Sequence, residues 1–190
     1  MTEIGAGFRW VDAREIYRGR ILAVEVGEFL SPHGESFERD IVRTPGAVVV
    51  APVLEHRSAE PQIILIRQYR PSVDDVLWEL PAGVRDVPGE PPDETARREL
   101  IEEVGFDAGS IVPTGSFLAS PGMTDARHLH FMATDLNNVG RHAHGPEEEA
   151  MIIEHVALRR AREMVFAGEI FNGPAAMGIL LACEQLGFRP

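Results

Sequence analysis

Lysine is absent from this sequence, cysteine occurs once, and no hydrophobic run is long. All 18 basic residues are arginine, against 30 acidic residues, which gives a net charge of −12. So acidic a chain is not expected to bind nucleic acid, because phosphate backbones are recognised by basic surfaces. The lack of lysine excludes no class of function by itself.

The longest apolar run, AVVVAPVL at residues 47–54, is far shorter than the ~20 residues that span a bilayer. The N-terminal residues MTEIGAGFRW lack the basic and apolar regions of a signal peptide, so we expect neither a membrane span nor export. The single cysteine, Cys183, excludes an intrachain disulfide and suits a reducing cytoplasm.

The composition is that of a globular protein with one main domain. Of its 190 residues, 44% are hydrophobic and 25% are charged, which is enough to bury a core. Residues 1–45 alternate apolar and polar in the runs REIYRGRILAVEVGEFL and ESFERDIVRT around SPHG, a pattern that predicts two or three antiparallel strands. So small a sheet cannot bury both of its faces and must pack on the rest of the chain or on another subunit. We therefore predict an N-terminal sheet over 1–45 and a main domain over 46–190.

The main domain mixes predicted strands and helices without an internal repeat. Strands are predicted at GAVVVAPVL, QIILIRQYRP, VLWELPAG, GSFLAS, HLHFMATDL and EAMIIEHVAL. Asp93–Val104 has the acids and prolines of a helix start and Gly105 as its C-cap. Closing helices are predicted at RRAREMVFAG and PAAMGILLACEQL, with Pro174 in the first turn of the second. This order predicts an α/β (α+β) fold.

The predicted helix contains ARRELIEEVGF, which concentrates acid on one face. At 3.6 residues per turn, Glu99, Glu102 and Glu103 share a face, whereas Ala96, Leu100 and Val104 form a stripe that can be buried. Like charges four residues apart cost an isolated helix about 0.2–0.5 kcal/mol. Either the face is simply solvated, with Arg98 pairing to Glu102, or a bound cation balances it.

The surrounding residues resemble the Nudix box, the sequence signature of the Nudix hydrolases. Its second half is matched by Arg98, Glu99, Leu100, Glu102, Glu103, Gly105 and Phe106. Upstream, seven residues separate Glu90 from Arg98, as in the box, and Gly83 supplies the leading glycine. Six residues separate Gly83 from Glu90 where the usual pattern has five, a difference that a loop should tolerate.

This resemblance implies an α/β/α sandwich with a mixed β-sheet and a site for Mg²⁺, with Mn²⁺ as an acceptable substitute. It assigns metal binding to Glu99, Glu103 and the backbone carbonyl of Ala82. Glu102 is expected to support both the metal and the chemistry, and Arg98 to orient the acids. Mg²⁺ prefers oxygen ligands in an octahedral array, so carboxylates one turn apart suit it.

The segment RQYRPSVDDVLWELPAG, residues 67–83, is similar to the stretch before the box in ADP-ribose pyrophosphatases, and Pro121 lies where that subfamily has a marker proline. The resemblance implies hydrolysis of ADP-ribose to AMP and ribose 5-phosphate by a homodimer whose N-terminal sheets are exchanged between subunits. Its expected substrate-binding residues are Arg70, Glu79, Arg43, Pro121, Met123 and Asp125.

One position departs from the subfamily, which usually has a glutamate shortly after the SPG turn. Here Asp125 is followed by Ala126, and Asp125 is the candidate to replace that glutamate at the distal ribose. The departure leaves two alternatives open. One is hydrolysis of another nucleotide sugar such as GDP-mannose, and the other is a sensor that binds ADP-ribose without cleaving it.

The resemblance places the general base in the segment GPEEEAMIIEH, on a loop that enters a strand. Glu147 is slightly favoured and Glu149 is the alternative, although Glu147, Glu148 and Glu149 could also form a solvated acidic turn. The pairs His128 with His130 and His142 with His144 allow a zinc site only if they converge.

Overall fold

The structure, a computed structural model, describes residues 7–56, 59–142 and 145–188. The chain forms two units: residues 7–46 together with Leu118–Arg127, and Ala47–Phe117 together with residues 128–188. No helix among the described residues is long and apolar enough to cross a membrane.

The first unit is built on a three-stranded antiparallel sheet in the order β1 (Arg9–Arg18), β2 (Ala23–Leu30), β3 (Ser36–Arg43). The antiparallel strands predicted for this region are confirmed. Phe29 stacks on Phe37, with 5.4 Å between ring centroids, and meets Trp10 edge-on at 4.8 Å. Every residue of β1 is nevertheless exposed. The sheet therefore has apolar side chains that the described residues leave exposed.

The second unit contains a seven-stranded mixed sheet. Its strands follow the order β10-β5-β4-β9-β8, with β6 paired to β5 and β7 paired to β4. The strand β4 runs parallel to β9 and antiparallel to β5 and β7. The strands are β4 (Ala47–His56), β5 (Ala59–Arg70), β6 (Asp75–Glu79), β7 (Ala82–Val84), β8 (Phe106–Leu118), β9 (Arg127–Asn138) and β10 (Ile152–Ala157).

Helices cover both faces of this sheet. Successive residues of a strand point to opposite faces, so neighbouring residues of β4 pack against different helices. The helix α1 (Pro92–Glu99) and its continuation pack on Val48 and Val50. The helices α3 (Leu158–Phe166) and α4 (Gly173–Gln185) pack on the other face, against Val49 and Ala51. The predicted α/β/α sandwich is confirmed.

Two predicted elements differ from the structure. The helix predicted over Asp93–Val104 ends as a wider π-helical segment, Leu100–Val104, in which the backbone N–H of Gly105 donates to the carbonyl of Leu100 as well as that of Ile101. Such segments are frequent at functional sites. Gly105 has the left-handed conformation expected of a C-cap, with φ of 77°.

The second difference concerns the three consecutive glutamates. They were expected on a loop entering a strand, but they lie in a short helix, α2 (Pro146–Glu149), and β10 begins only at Ile152. Gly145, with φ of 87°, and Pro146 begin this turn, since proline suits the first position of a helix.

Candidate active site

The acidic face of α1 is mostly buried, although its side chains are carboxylates. Glu99 is 8% exposed and Glu103 is 4% exposed. Burial raises the pKa of Glu103 to about 8 and also raises the pKa of Glu99. Ionised groups are rarely buried without a partner, so this pair suits a divalent cation.

The turn before β7 lies against these acids. The backbone N–H of Ala82 donates to Glu103 Oε2 at 2.9 Å. A Cβ atom on Gly83 would overlap the carboxylate of Glu99, so any other residue at this position would force that side chain or the turn to move. The additional residue between Gly83 and Glu90 does not disturb this arrangement, because Gly83 still contacts Glu99 and Glu90 still pairs with Arg98.

Arg98 is surrounded by three carboxylates. It donates from Nε and Nη2 to Glu90 at 3.1 and 3.2 Å, and from Nη1 to Glu99 at 2.6 Å and Glu102 at 3.2 Å. The hydrogen bonds to Glu90 raise the pKa of Arg98, and Arg98 lowers the pKa of Glu90. One guanidinium thus orients three acids but cannot balance their charge.

Arg70 and Glu79 form a two-pronged ion pair across β5 and β6. Arg70 Nε and Nη2 donate to the two carboxylate oxygens of Glu79 at 2.7 and 2.6 Å, and Glu79 is buried. The bond to Glu79 raises the pKa of Arg70, and the charges of Glu103 and Glu147 add to the effect. Arg70 is therefore a fixed cation close to the acidic helix.

The charges of the α2 glutamates shift the pKa values of different groups in the site. Burial is the main cause of the raised pKa values of Glu99 and Glu103, and the charge of Glu148 contributes to both. The charge of Glu147 instead acts on Tyr69 and Arg70. Arg141 donates a hydrogen bond to the carbonyl of Glu148. The sequence contains no signal that separates three adjacent glutamates, so it could not single out Glu148.

The remaining predicted substrate residues lie in the first unit. Arg43 donates to Glu25 and to Asp125, both at 2.9 Å, and its guanidinium lies over the ring of Trp10 at 5.1 Å. Asp125 also accepts from the backbone N–H of Thr44 at 3.4 Å. Asp125 is thus already engaged, which the sequence could not indicate. Pro121 and Met123 line a cavity of about 360 Å³ together with Arg43 and Asp125.

The histidines show no zinc site among the residues that the structure describes. His128 and His130 lie on β9, and His130 is buried against Phe117 with 5.3 Å between ring centroids. Burial lowers the pKa of His130 to about 4. His144 lies outside the described residues. Within them, no three His, Cys, Asp or Glu side chains are grouped so as to hold a metal ion by themselves.

Residues 43–170 match the NUDIX domain, and the chain belongs to this family, which confirms the resemblance found in the box. Among its relatives, the ADP-ribose pyrophosphatase of Mycobacterium tuberculosis H37Rv is 34% identical over 91% of this chain and 82% of its own length. The ADP-ribose pyrophosphatase of Bacillus subtilis 168 is 32% identical over 87% and 86%. A solved structure described as an ADP compounds hydrolase superposes with a TM-score of 0.81 over 95% of both chains at 22% identity, a likeness of fold.

Proposed function

We propose that this protein is a Mg²⁺-dependent ADP-ribose pyrophosphatase that hydrolyses ADP-ribose to AMP and ribose 5-phosphate. The observation that carries the proposal is the pair of buried carboxylates, Glu99 and Glu103, held against the Ala82–Gly83 turn. The two relatives named ADP-ribose pyrophosphatase, each matched over most of its length, support the choice of substrate.

The residues fit Mg²⁺, since carboxylate and carbonyl oxygens are its preferred protein ligands. Glu99, Glu103 and the backbone of Ala82 would hold it, and Mn²⁺ could take its place. Mg²⁺ usually retains waters and takes further ligands from substrate phosphates, so two protein carboxylates are sufficient. When bound, the metal would activate a water and stabilise charge on the diphosphate.

The chain's own residues would perform the remaining steps. Arg98 keeps Glu99 and Glu102 in place through its hydrogen bonds. Arg70, fixed by Glu79, presents a cation that can orient a phosphate. The base that takes the proton of the attacking water would come from α2. Glu147 and Glu149 are the residues predicted as this base. Glu148 is a third candidate, because its charge contributes to the raised pKa values of Glu99 and Glu103.

We also propose a homodimer in the cytoplasm. Phe8, Trp10, Val11, Ile16 and Tyr17 are each about half exposed, an apolar surface that a second copy of the sheet could cover. The buried free thiol of Cys183 suits a reducing compartment.

A substrate panel tests the activity. ADP-ribose, GDP-mannose and other nucleotide sugars are incubated with the protein in Mg²⁺ and in EDTA, and the products are separated. We expect AMP and ribose 5-phosphate from ADP-ribose only with the metal, and the highest kcat/KM for ADP-ribose. A higher kcat/KM for GDP-mannose than for ADP-ribose would show that the alternative substrate is the right one. Tight binding of ADP-ribose without turnover would show that the protein is a sensor.

The variant Asp125→Ala tests the recognition of the substrate in the same panel. Because Asp125 and Glu25 together hold Arg43, loss of Asp125 removes one of the two carboxylates that fix that guanidinium and should raise KM more than it lowers kcat. An increase in KM of roughly tenfold corresponds to about 1.4 kcal/mol of lost binding. An unchanged KM for ADP-ribose would remove Asp125 and its ion pair from substrate recognition.

A further inference from the structure

Arg141 connects the two elements that carry the acids of the candidate site. Its Nη2 donates to the backbone carbonyl of Glu148 in α2. Its backbone lies against Gly105, the C-cap of the helical segment that carries Glu103. We propose that Arg141 is a positioning residue that holds the general base of α2 in place relative to the metal-binding carboxylates. This inference rests on the proposed hydrolysis of ADP-ribose and adds a residue that acts through the base.

The backbone around Arg141 is fixed to the end of the acidic helix. The backbone N–H of Val139 donates to the carbonyl of Gly105 at 2.9 Å. A Cβ atom on Gly105 would lie 2.8 Å from the backbone nitrogen of Arg141, closer than side chains normally approach. Glu103 precedes Gly105 by only two residues. The backbone of Arg141 is therefore anchored close to the metal-binding carboxylates.

The helix α2 needs contacts with the rest of the chain, because it is too short to be stable by itself. Pro146–Glu149 is a single turn, whereas isolated helices shorter than about 12 residues are marginal in water. No side chain among the described residues caps its start. At its end, the carbonyl of Glu148 accepts from the backbone N–H of the buried Met151 at 3.0 Å and from Arg141. This carbonyl is therefore where α2 is held.

An arginine suits this carbonyl. Basic side chains stabilise the C-terminal end of a helix, where the last carbonyls lack partners within the helix. The Nε atom of Arg141 is buried and has no hydrogen-bond partner among the described residues. Part of the guanidinium is thus shielded from water, where hydrogen bonds are stronger. Because the bond to Glu148 is made to its main chain, it acts on the whole turn, whichever glutamate of α2 is the base.

The position of α2 should affect the rate more than it affects binding. A general base acts within hydrogen-bond reach of the water that it deprotonates. A misplacement of about 1 Å can lower a rate a hundredfold. Burial raises the pKa values of Glu99 and Glu103, and the charge of Glu148 adds to both, so α2 is close to these acids. Loss of the Arg141 guanidinium should therefore lower kcat more than it alters KM.

A double-mutant cycle tests this role. Substitution of each α2 glutamate by glutamine first identifies the base as the position with the largest loss of kcat. Arg141→Met, which keeps an unbranched side chain without the guanidinium, is then measured alone and combined with that variant. Arg141→Lys is the conservative variant. Arg160→Met is the control, because Arg160 is an exposed arginine of α3 that pairs with Glu169 instead.

Steady-state kinetics with ADP-ribose in saturating Mg²⁺, melting temperatures and amide hydrogen exchange are measured on each variant. We expect Arg141→Met to lower kcat roughly tenfold or more, with KM and melting temperature close to those of the control. Arg141→Lys should recover part of kcat. In the variant without the base, Arg141→Met should change kcat little further, because a residue that acts through the base has no effect once the base is gone. Exchange in residues 146–152 should be faster in Arg141→Met than in the wild type.

Four results would each overturn the proposal: unchanged turnover of Arg141→Met, unchanged exchange in residues 146–152, independent losses of kcat in the double variant, or no base among the α2 glutamates. If Arg141→Met does not fold, Arg141→Lys enters the same cycle. Failure of the proposed function is distinguishable from these results, because the wild type itself would then not cleave ADP-ribose, whereas hydrogen exchange would still report the contact between Arg141 and α2.

Discussion

At the scale of single residues, the candidate site buries acidic side chains that a folded protein would usually keep in contact with water. Glu99 and Glu103 are buried, and the only cation bonded to either carboxylate among the described side chains is Arg98, which also serves Glu90 and Glu102. The desolvation of these acids costs stability that a metal would return on binding. The residues that carry function are therefore expected to be poor for stability in the absence of metal.

Glu103→Gln should lower kcat by a hundredfold or more, because a metal ligand is lost, while the fold survives because a buried charge and its repulsion with Glu99 are removed. The control is Glu94→Gln, an exposed acid in the first turn of α1. Steady-state kinetics at saturating Mg²⁺ and melting temperatures in EDTA are measured on both variants. Near-normal turnover of Glu103→Gln would remove Glu103 from the metal site.

His130 should make stability fall in mild acid. The folded pKa of about 4 lies below the usual 6.5 of histidine, so unfolding takes up a proton between these values. The contribution is fully present above pH 6.5 and is lost as pH falls towards 4, at most about 3 kcal/mol. His130→Leu should show a smaller decrease in the free energy of unfolding between pH 7 and 4.5, measured by urea titration. Equal decreases in both proteins would exclude His130 as the cause.

At the scale of elements, the site depends on how the turn before β7 meets α1. The strand β7 is held by β4, with Gly83 paired to Val48. The helix is anchored from the other side by Ala96, Leu100 and Val104 in the core. Neither element can withdraw from the other without breaking its own packing, so the distance between the turn and the acids is fixed.

Gly83→Ala tests this contact. The new methyl group would overlap the carboxylate of Glu99, so the side chain or the turn must move. Overpacking of this kind costs about 1–3 kcal/mol, and a displaced metal ligand should reduce kcat at least tenfold. Gly173→Ala is the control, because a Cβ atom there meets nothing within 4 Å. If Gly83→Ala keeps both its melting temperature and its turnover, the position of the Glu99 carboxylate does not depend on its close contact with Gly83.

At the scale of the whole molecule, the exposed sheet of the first unit is the feature that a single chain leaves unexplained. Apolar side chains of β1 face water along its whole length. A small sheet needs a second layer to be stable. A second copy of the chain is the proposed layer.

The dimer prediction is tested by light scattering on the full chain, whose monomer mass is 20.9 kDa. We expect twice this mass for the wild type, and dissociation with loss of substrate binding for the double variant Ile16→Asp, Tyr17→Asp. Deletion of residues 1–40 should abolish binding and stability together. A monomer with full activity would contradict the prediction.

The sequence by itself determined the elements whose signals are local. The spacing of Ala96, Leu100 and Val104 predicted the buried stripe of α1, and Gly105 predicted its end. The order of the predicted strands and helices indicated an α/β fold, and the resemblance to the Nudix box implied the sandwich. The stripe and the predicted elements follow from backbone periods of two and 3.6 residues, which are visible within any short stretch of sequence.

The tertiary structure alone decided which distant groups meet. Glu103 bonds to Ala82, 21 positions earlier, and Asp125 is held by Arg43, 82 positions earlier. The charge of Glu148, which lies in the short helix α2, contributes to the raised pKa values of Glu99 and Glu103, about 50 positions earlier. Such contacts depend on strand register and on the packing of separate elements. Neither strand register nor packing between distant elements can be read from the periodicity of a short stretch. The sequence therefore indicated which residue types form the site, whereas the distances between them came only from the structure.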